Sequence, residues 1–186
     1  MRVIAGRWGG RRLKAPRGTA TTRPTSERVR EAVFSMLGTV EDEEVLDLFA
    51  GTGALGIEAL SRGAKRAVFV ERDGDALEAL AGNLEALGLE AGEAEVRRGE
   101  ALSALRSARA RAETYDLVLI DPPYRRASDL GRELSVALVS LLAPKARVVV
   151  ESDRRAPLEL PWEIVRERRY GDTSITIHVI NDLHKP

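Results

Sequence analysis

Apolar β-type runs alternate with segments of helical periodicity through most of the chain. Runs such as EVLDLFA, RAVFVE and YDLVLI each precede a stretch in which apolar residues recur every three or four positions. This alternation is typical of βαβ units, in which consecutive strands lie parallel in one sheet. The pattern predicts strands over 44–50, 66–71, 94–98, 115–120 and 147–151, and helices over 26–37, 54–62, 73–87, 101–110 and 128–142.

The end of the chain breaks this alternation. Two further strands are predicted over 162–169 and 174–180, and Gly171-Asp172 lies between them with no helix. Strands joined by so short a connection pair antiparallel. We therefore predict an α/β domain over residues 25–186, whose mostly parallel sheet ends in an antiparallel hairpin.

Residues 1–24 are predicted to form a basic arm in front of this domain. The pair Gly9-Gly10 favours the two-residue turn of a short β-hairpin, with Trp8 at its tip. Residues 1–30 carry nine basic side chains and one acidic side chain, although the whole chain has 29 of each. A cationic arm on an acidic body is suited to contact with polyphosphate, and a solvated tail is the alternative. Trp8 either stacks on a nucleic-acid base or packs the hairpin against the domain.

Composition excludes several classes of chemistry. The sequence contains no cysteine, which excludes disulfides, thiolate zinc sites, iron–sulfur clusters and cysteine nucleophiles. No segment approaches the roughly 18 consecutive apolar residues of a membrane-spanning helix, and the first residues lack the apolar run of a signal peptide. We expect a soluble, cytoplasmic protein that contacts no membrane.

A glycine-rich loop follows the first predicted strand. The sequence GTGALG, starting at Gly51, matches the G-x-G-x-x-G pattern and opens a predicted helix. Glu71, twenty residues after Gly51, ends the second strand, where its carboxylate can accept hydrogen bonds from two ribose hydroxyls. These features predict an adenosine-containing cofactor, and they leave a dinucleotide and S-adenosylmethionine both open.

Asp47 favours S-adenosylmethionine. It lies four residues before the glycines, where a carboxylate would repel a pyrophosphate but attract the ammonium group of a methionine moiety. Glu100 follows the third strand and either accepts a hydrogen bond from an adenine amino group or caps the next helix. The predicted cofactor-binding residues are Asp47, Phe49, Gly51, Gly53, Glu71, Arg72, Glu100, Ala101 and Thr25.

The sequence Asp121-Pro122-Pro123-Tyr124 follows the fourth strand and is the most specific motif in the chain. Two consecutive prolines fix the backbone and lack amide donors, so the loop presents hydrogen-bond acceptors. An exocyclic amine on a base is a poor nucleophile, because its lone pair is delocalised into the ring. Acceptors at Asp121 and at the Pro122 carbonyl would favour a pyramidal nitrogen aimed at a sulfonium methyl group, with Tyr124 stacking on the base. This chemistry needs no metal ion.

Five segments together resemble the bacterial 16S ribosomal RNA guanine-N2 methyltransferases. The resemblance runs from the basic arm to Glu151, and it rests on RPT at 23–25, RVREAVF at 28–34, DLFAGTGALG at 47–56, EALSRGA at 58–64 and DPPY at 121–124.

The resemblance implies a class I, Rossmann-like methyltransferase fold with a seven-stranded sheet. It also implies S-adenosyl-L-methionine as donor and one guanine of 16S rRNA as target, within the small ribosomal subunit or an assembly intermediate. Asp47, Gly51, Gly53 and Glu71 would line the cofactor, and residues 121–124 would carry the chemistry. The predicted RNA-binding residues are Arg7, Arg11, Arg12, Lys14 and Arg23, and Arg23 and Thr25 would lie near the methionine end of the cofactor or the target strand.

Three alternatives remain from the residues alone. The same tetrapeptide resembles that of adenine-N6 methyltransferases, although the acceptor-only carboxylate of Asp121 suits the two donors of guanine, N1–H and N2–H. A nicotinamide-dependent oxidoreductase could use the same glycine loop, but the chain lacks a second substrate domain and neither histidine lies in a motif. The third alternative is an RNA-binding module without catalysis, which the intact tetrapeptide disfavours.

Overall fold

The computed structural model describes residues 1–16, 26–123 and 127–180, and in this part of the chain seven strands form one sheet. In chain order the elements are α1 (Glu27–Leu37), β1 (Glu44–Asp47), α2 (Ala54–Ser61), β2 (Arg66–Glu71), α3 (Gly74–Leu87), β3 (Ala94–Arg98), α4 (Ala101–Ala110), β4 (Tyr115–Ile120), α5 (Ala127–Leu138), β5 (Leu142–Asp153), β6 (Glu163–Tyr170) and β7 (Thr173–Val179).

The sheet has the strand order β3-β2-β1-β4-β5-β7-β6. The first five strands in this order are parallel, and β7 pairs antiparallel with both β5 and β6. The predicted α/β class, the seven strands and the C-terminal antiparallel hairpin are confirmed.

Both faces of the sheet are covered, which explains why the central strands are continuous apolar runs. Successive residues of a strand point to opposite faces, so Val45 packs with α1, α2 and α3 while Leu46 packs with α4 and α5. No helix of the described residues is long and apolar enough to span a membrane.

The ends of α1 and α3 follow the capping signals in the sequence. The side chain of Ser26 accepts a hydrogen bond from Val29 N, and Asp73 does the same for Ala76 N. The two helices are followed by the C-cap residues Gly38 and Gly88, both of which have positive φ. Each helix therefore begins and ends within one residue of its predicted bounds.

The helix predicted over 128–142 is too long. It ends at Leu138, a 3₁₀ turn follows, and β5 begins at Leu142 and runs past Pro144. Proline is tolerated here because the ladder with β4 steps from the pair Tyr115 and Leu142 directly to the pair Leu117 and Arg147. Pro144 lies in that irregularity, where no ladder bond needs its missing N–H.

The first strand is shorter than predicted. It ends at Asp47 and not at residue 50, since the backbone turns there toward the glycine loop. Two contacts still tie this turn to the sheet: Leu48 N donates to Leu119 O at 3.0 Å, and Ala50 N donates to Val70 O at 3.0 Å.

The predicted two-residue turn at Gly9-Gly10 is wrong. Residues 1–3 and 11–13 do run antiparallel, with Val3 N donating to Arg11 O at 2.9 Å, but they form one isolated bridge and residues 4–10 make a wide loop. Gly6 has a φ of +82°, and a Cβ added there would lie 1.7 Å from Ser61 O. The loop is therefore shaped by its close contact with α2.

Trp8 packs into the core and does not lie at an exposed tip. Its side chain is 5% exposed, and with Val3 and Leu13 it joins the core cluster on the α1 and α2 side of the sheet. Of the two roles considered for Trp8, the structure supports packing. The described part of the arm is thus integrated into the fold.

We expect Trp8→Ala to lower the free energy of unfolding by about 3 kcal/mol or more, because it removes a large buried side chain. Urea denaturation measures this loss. Val136→Ala is the control, since Val136 is 70% exposed and its truncation should change stability by less than about 0.5 kcal/mol. Equal small effects of the two substitutions would contradict the packing of Trp8.

Candidate active site

The three glycines of the loop after β1 have different roles. Gly51 and Gly53 have φ values of +54° and +83°, which favour glycine at both positions. A Cβ on Gly53 would lie 2.3 Å from Leu80 Cδ1, and one on Gly56 would lie 2.4 Å from the Phe69 ring, so these two glycines permit close packing. A Cβ on Gly51 would meet no atom within 4 Å. The backbone at Gly51 therefore borders open space, as a cofactor-binding loop requires.

Three carboxylates converge on this loop because of the strand register. Asp47 pairs with Phe69 of β2 and with Leu119 of β4. Glu71 and Asp121 lie two residues beyond these partners, each at the carboxyl end of its strand. The carboxyl ends of parallel strands are where open α/β sheets bind their ligands. The structure thus brings Asp47, Glu71 and Asp121 to one edge.

The carboxylate of Glu71 is fixed by backbone amides. Its Oε2 accepts a hydrogen bond from Gly51 N at 2.8 Å, and its Oε1 accepts from Arg72 N at 2.7 Å and Asp73 N at 2.8 Å. Glu71 is half-buried. These bonds hold an acceptor beside the first glycine, where the sequence predicted a ribose contact.

Asp47 is fully buried and only partly satisfied. Its Oδ2 accepts a hydrogen bond from Gly56 N at 3.1 Å, while its Oδ1 has no partner among the described residues. The pKa of Asp47 is raised to about 7: burial is the largest cause, the nearby charges of Asp121 and Glu71 also raise it, and the hydrogen bond from Gly56 opposes them. A cationic group would satisfy this carboxylate better than any residue around it.

The Asp121 loop begins directly after β4. Asp121 is half-buried, Pro122 is buried and Pro123 is exposed. The predicted stacking residue Tyr124 lies outside the described residues.

The remaining predicted cofactor residues lie around the same edge. Arg72 Nη1 and Glu100 Oε1 form an ion pair at 3.0 Å, and hydrogen bonding to Glu100 raises the pKa of Arg72. Glu100 occupies the N-cap position of α4 but its side chain caps no amide, so it remains exposed at the rim. Ala101 is buried at the start of α4, and Phe49 is half-buried against the core on the α4 and α5 side. Thr25 lies outside the described residues.

The predicted RNA-binding residues are not all brought together. Arg7 forms ion pairs with Glu93 at 2.7 Å and with Glu90 at 3.7 Å. Both glutamates lie just before β3 and therefore at the amino ends of the strands, whereas the three carboxylates lie at the carboxyl ends. Arg11, Arg12 and Lys14 are exposed. Arg23 lies outside the described residues.

Asn83 on α3 connects the arm to the glycine loop, and sequence reasoning missed it. Its Oδ1 accepts from Lys14 N at 2.7 Å, and its Nδ2 donates to Lys14 O at 3.2 Å and to Thr52 O at 3.0 Å. The sequence feature that could have identified Asn83 is its amide side chain within the apolar stripe formed by Leu80 and Leu87. Asn83 therefore fixes Lys14 beside the glycine loop.

Glu58 on α2 is a second residue that sequence reasoning missed. It is completely buried, and its carboxylate accepts hydrogen bonds from Ile4 N at 2.7 Å, Ala5 N at 3.1 Å and Arg62 Nε at 2.7 Å. A single charge within the apolar helix ALGIEALS was the available signal. Glu58 holds the arm against the domain.

The strand order and the parallel pairing of the sheet are those of the class I α/β fold found in methyltransferases. The chain belongs to the family described as conserved hypothetical protein 95, whose model matches residues 1–179.

Relatives of the chain support this assignment over nearly its full length. The putative rRNA methyltransferase YlbH of Bacillus subtilis is 39% identical, with 96% of this chain and 98% of YlbH covered. Ribosomal RNA small subunit methyltransferase D of Escherichia coli K12 is 37% identical, with 96% and 89% covered. The solved structure of the putative methyltransferase yhhF from Escherichia coli has a TM-score of 0.81 at 36% identity, with 96% of this chain and 97% of that chain covered. The chain is thus a homologue of rRNA methyltransferases over most of its length.

We expect Asp47 to make the protein less stable as the pH rises. Because its pKa is raised to about 7, the folded protein retains a proton that the unfolded chain loses near pH 4. The free energy of unfolding should therefore fall between about pH 4 and pH 7, by up to about 4 kcal/mol from this group. Asp47→Asn should remove that part of the dependence in urea denaturation at pH 5 and pH 8. Parallel pH profiles of the two proteins would contradict the raised pKa.

Proposed function

We propose that this protein transfers the methyl group of S-adenosylmethionine to the exocyclic N2 amine of a guanine in 16S rRNA, within the small ribosomal subunit or an assembly intermediate. The observation that carries the proposal is the convergence of Asp47, Glu71 and Asp121 around the glycine loop. The names of the relatives, which include a small-subunit rRNA methyltransferase, support the substrate class.

The residues present fit this cofactor. The buried Oδ1 of Asp47 lacks a partner among the described residues and would accept from the α-ammonium group. Glu71 would accept hydrogen bonds from the ribose hydroxyls. The open space at the Gly51 backbone leaves room for the part of the cofactor between its ribose and its ammonium group. When bound, the sulfonium supplies an activated methyl group whose leaving group is a neutral thioether. Neither a metal ion nor a strong base is needed to expel such a leaving group.

Asp121 and the Pro122 carbonyl act on the nucleophile. They accept hydrogen bonds from the guanine amine and hold its lone pair toward the methyl group, so that transfer is in line. Prolines at 122 and 123 fix this geometry and contribute no competing amide donor. Tyr124 would stack on the base, and the proton leaves the nitrogen after transfer. A carboxylate acceptor matches guanine, which presents N1–H and N2–H, better than adenine.

The N-terminal arm holds the RNA. Arg11, Arg12 and Lys14 are exposed, and Asn83 fixes Lys14 next to Thr52 of the glycine loop. Phosphates bound there would lie close to the cofactor. Arg23 would continue this contact, whereas Arg7 lies at the opposite sheet edge and would contribute less.

We expect Gly51→Ala to weaken S-adenosylmethionine binding about tenfold or more, because its Cβ would enter the space next to Glu71. Titration calorimetry measures the affinity. Gly88→Ala is the matched control: Gly88 has a similar φ of +61° and equally open surroundings, but it ends α3 away from the loop. Both substitutions carry the same backbone strain, so equal affinities in the two variants would remove Gly51 from the site. Gly53→Ala is less informative because of the contact with Leu80.

We expect Asp121→Ala to lower the single-turnover rate of methyl transfer about a hundredfold or more, while cofactor affinity changes little. The assay uses labelled cofactor and undermethylated small ribosomal subunits, followed by identification of the modified nucleoside. The control Asp116→Asn changes a carboxylate at the other end of β4, which accepts from Glu44 N, and should keep the parental rate. Parental turnover in Asp121→Ala, or a product other than N2-methylguanine, would refute the proposal.

A further inference from the structure

A second basic surface lies at β6, the edge strand on the opposite side of the sheet from β3. We define the α1–β6 surface as Arg28 of α1 together with Arg166, Arg168 and Tyr170 of β6. β6 is the edge strand, and all of its residues except the half-buried Tyr170 are exposed. Ordinary edge strands use charge to prevent pairing with other chains. Prevention of such pairing does not require the charged side chains to lie on one face of the sheet.

The register places the arginines of this surface on one face. Arg166 pairs with Ile177 and Arg168 pairs with Ile175, and both isoleucines are buried in the core on the α1 side. Residues paired across a ladder point to the same face, so both arginines project toward the α1 side.

Tyr170 joins the two elements of the surface. The Arg28 guanidinium lies 5.6 Å from the centroid of the Tyr170 ring, which brings the start of α1 to the end of β6. The α1–β6 surface is therefore continuous from α1 to β6.

The arginines of this surface are not neutralised by nearby acids. Arg28, Arg166 and Arg168 form no ion pair with a described residue, whereas Arg169 on the opposite face of β6 pairs with Glu167 at 2.7 Å. The exposed acids on this side are Glu31 of α1 and Glu163 of β6, whose ladder partner Val179 points to the same face as Ile177, so three cations face two anions. A compact group of uncompensated guanidinium groups attracts a polyanion.

This surface is level with the catalytic loop. Ile120 pairs with Val150, and the next residue of β5, Glu151, pairs with Ile175, which pairs with Arg168. Arg168 therefore lies at the same level of the sheet as Asp121, three strand spacings to the side, or about 14 Å away. The arm also contacts the start of α1, where Arg2 pairs with Glu27, the residue before Arg28. An RNA strand bound by the arm with its target at Asp121 would pass this surface.

We propose that the α1–β6 surface binds the phosphate backbone of the RNA substrate, as a second contact beside the N-terminal arm. This inference rests on the proposed function. RNA is favoured over a second copy of the chain, because two copies meeting at β6 would bring like charges together.

The test compares two faces of one strand. The double variant Arg166→Ala/Arg168→Ala and the control Arg169→Ala are assayed for binding to undermethylated small ribosomal subunits across a salt series. Each lost phosphate contact lowers the slope of log affinity against log salt by roughly 0.7–0.9, so we expect a decrease of about 1.5 in the double variant. The control should keep the parental slope, and cofactor affinity should be parental in all variants, which shows that the fold is intact.

Three outcomes would overturn the inference. One is a parental slope in the double variant, and another is an equal decrease in the control. The third is a parental dimer in sedimentation that the double variant dissociates, which would make the surface an interface between copies. Methylation of the subunits by the parental protein is measured in parallel. Its absence would refute the proposed function, whereas methylation with an unchanged slope would refute this surface alone.

Discussion

The parallel pairing of β1 with both β2 and β4 is the constraint on which the site depends. It brings three carboxylates to one sheet edge, and the central one, Asp47, is buried with an oxygen that lacks a partner among the described residues. This arrangement costs free energy in the isolated chain, as the raised pKa of Asp47 shows. A cationic group bound at this oxygen would offset the cost. The apolar packing of the sheet supplies the stability that allows such an unfavourable group to persist.

The N-terminal arm is attached by buried polar side chains as well as by apolar contacts. Glu58 binds the amides of Ile4 and Ala5, and Asn83 binds both backbone groups of Lys14. Trp8 then fills the core beneath the loop. The arm and the glycine loop are thus joined through one side chain, because Asn83 contacts both of them. A basic tail without these contacts would pay the full entropy of ordering on RNA.

Local signals in the sequence were sufficient for most of the sheet and for the positions of Asp47, Glu71 and Asp121. Strand ends and glycine turns are encoded by adjacent residues, so the acids could be placed at strand ends without knowledge of the tertiary structure. The helix predicted through Leu142 failed because tolerance of Pro144 depends on a ladder irregularity with β4. The turn at Gly9-Gly10 failed because the path of the arm is set by distant residues on α2. Asn83 and Glu58 were missed for the same reason, since their partners in the N-terminal arm lie more than fifty residues away.

The insertion of β7 between β5 and β6 has a consequence for biosynthesis. β6 emerges from the ribosome before β7, yet its ladder partner in the finished sheet is β7. Until β7 is translated, the five-stranded parallel sheet presents β5 as an open edge, and β6 has no place in it. The folding chain must therefore keep the edge of β5 unpaired until β7 is in place. Such an intermediate is the stage at which this protein would be most exposed to aggregation or to capture by chaperones.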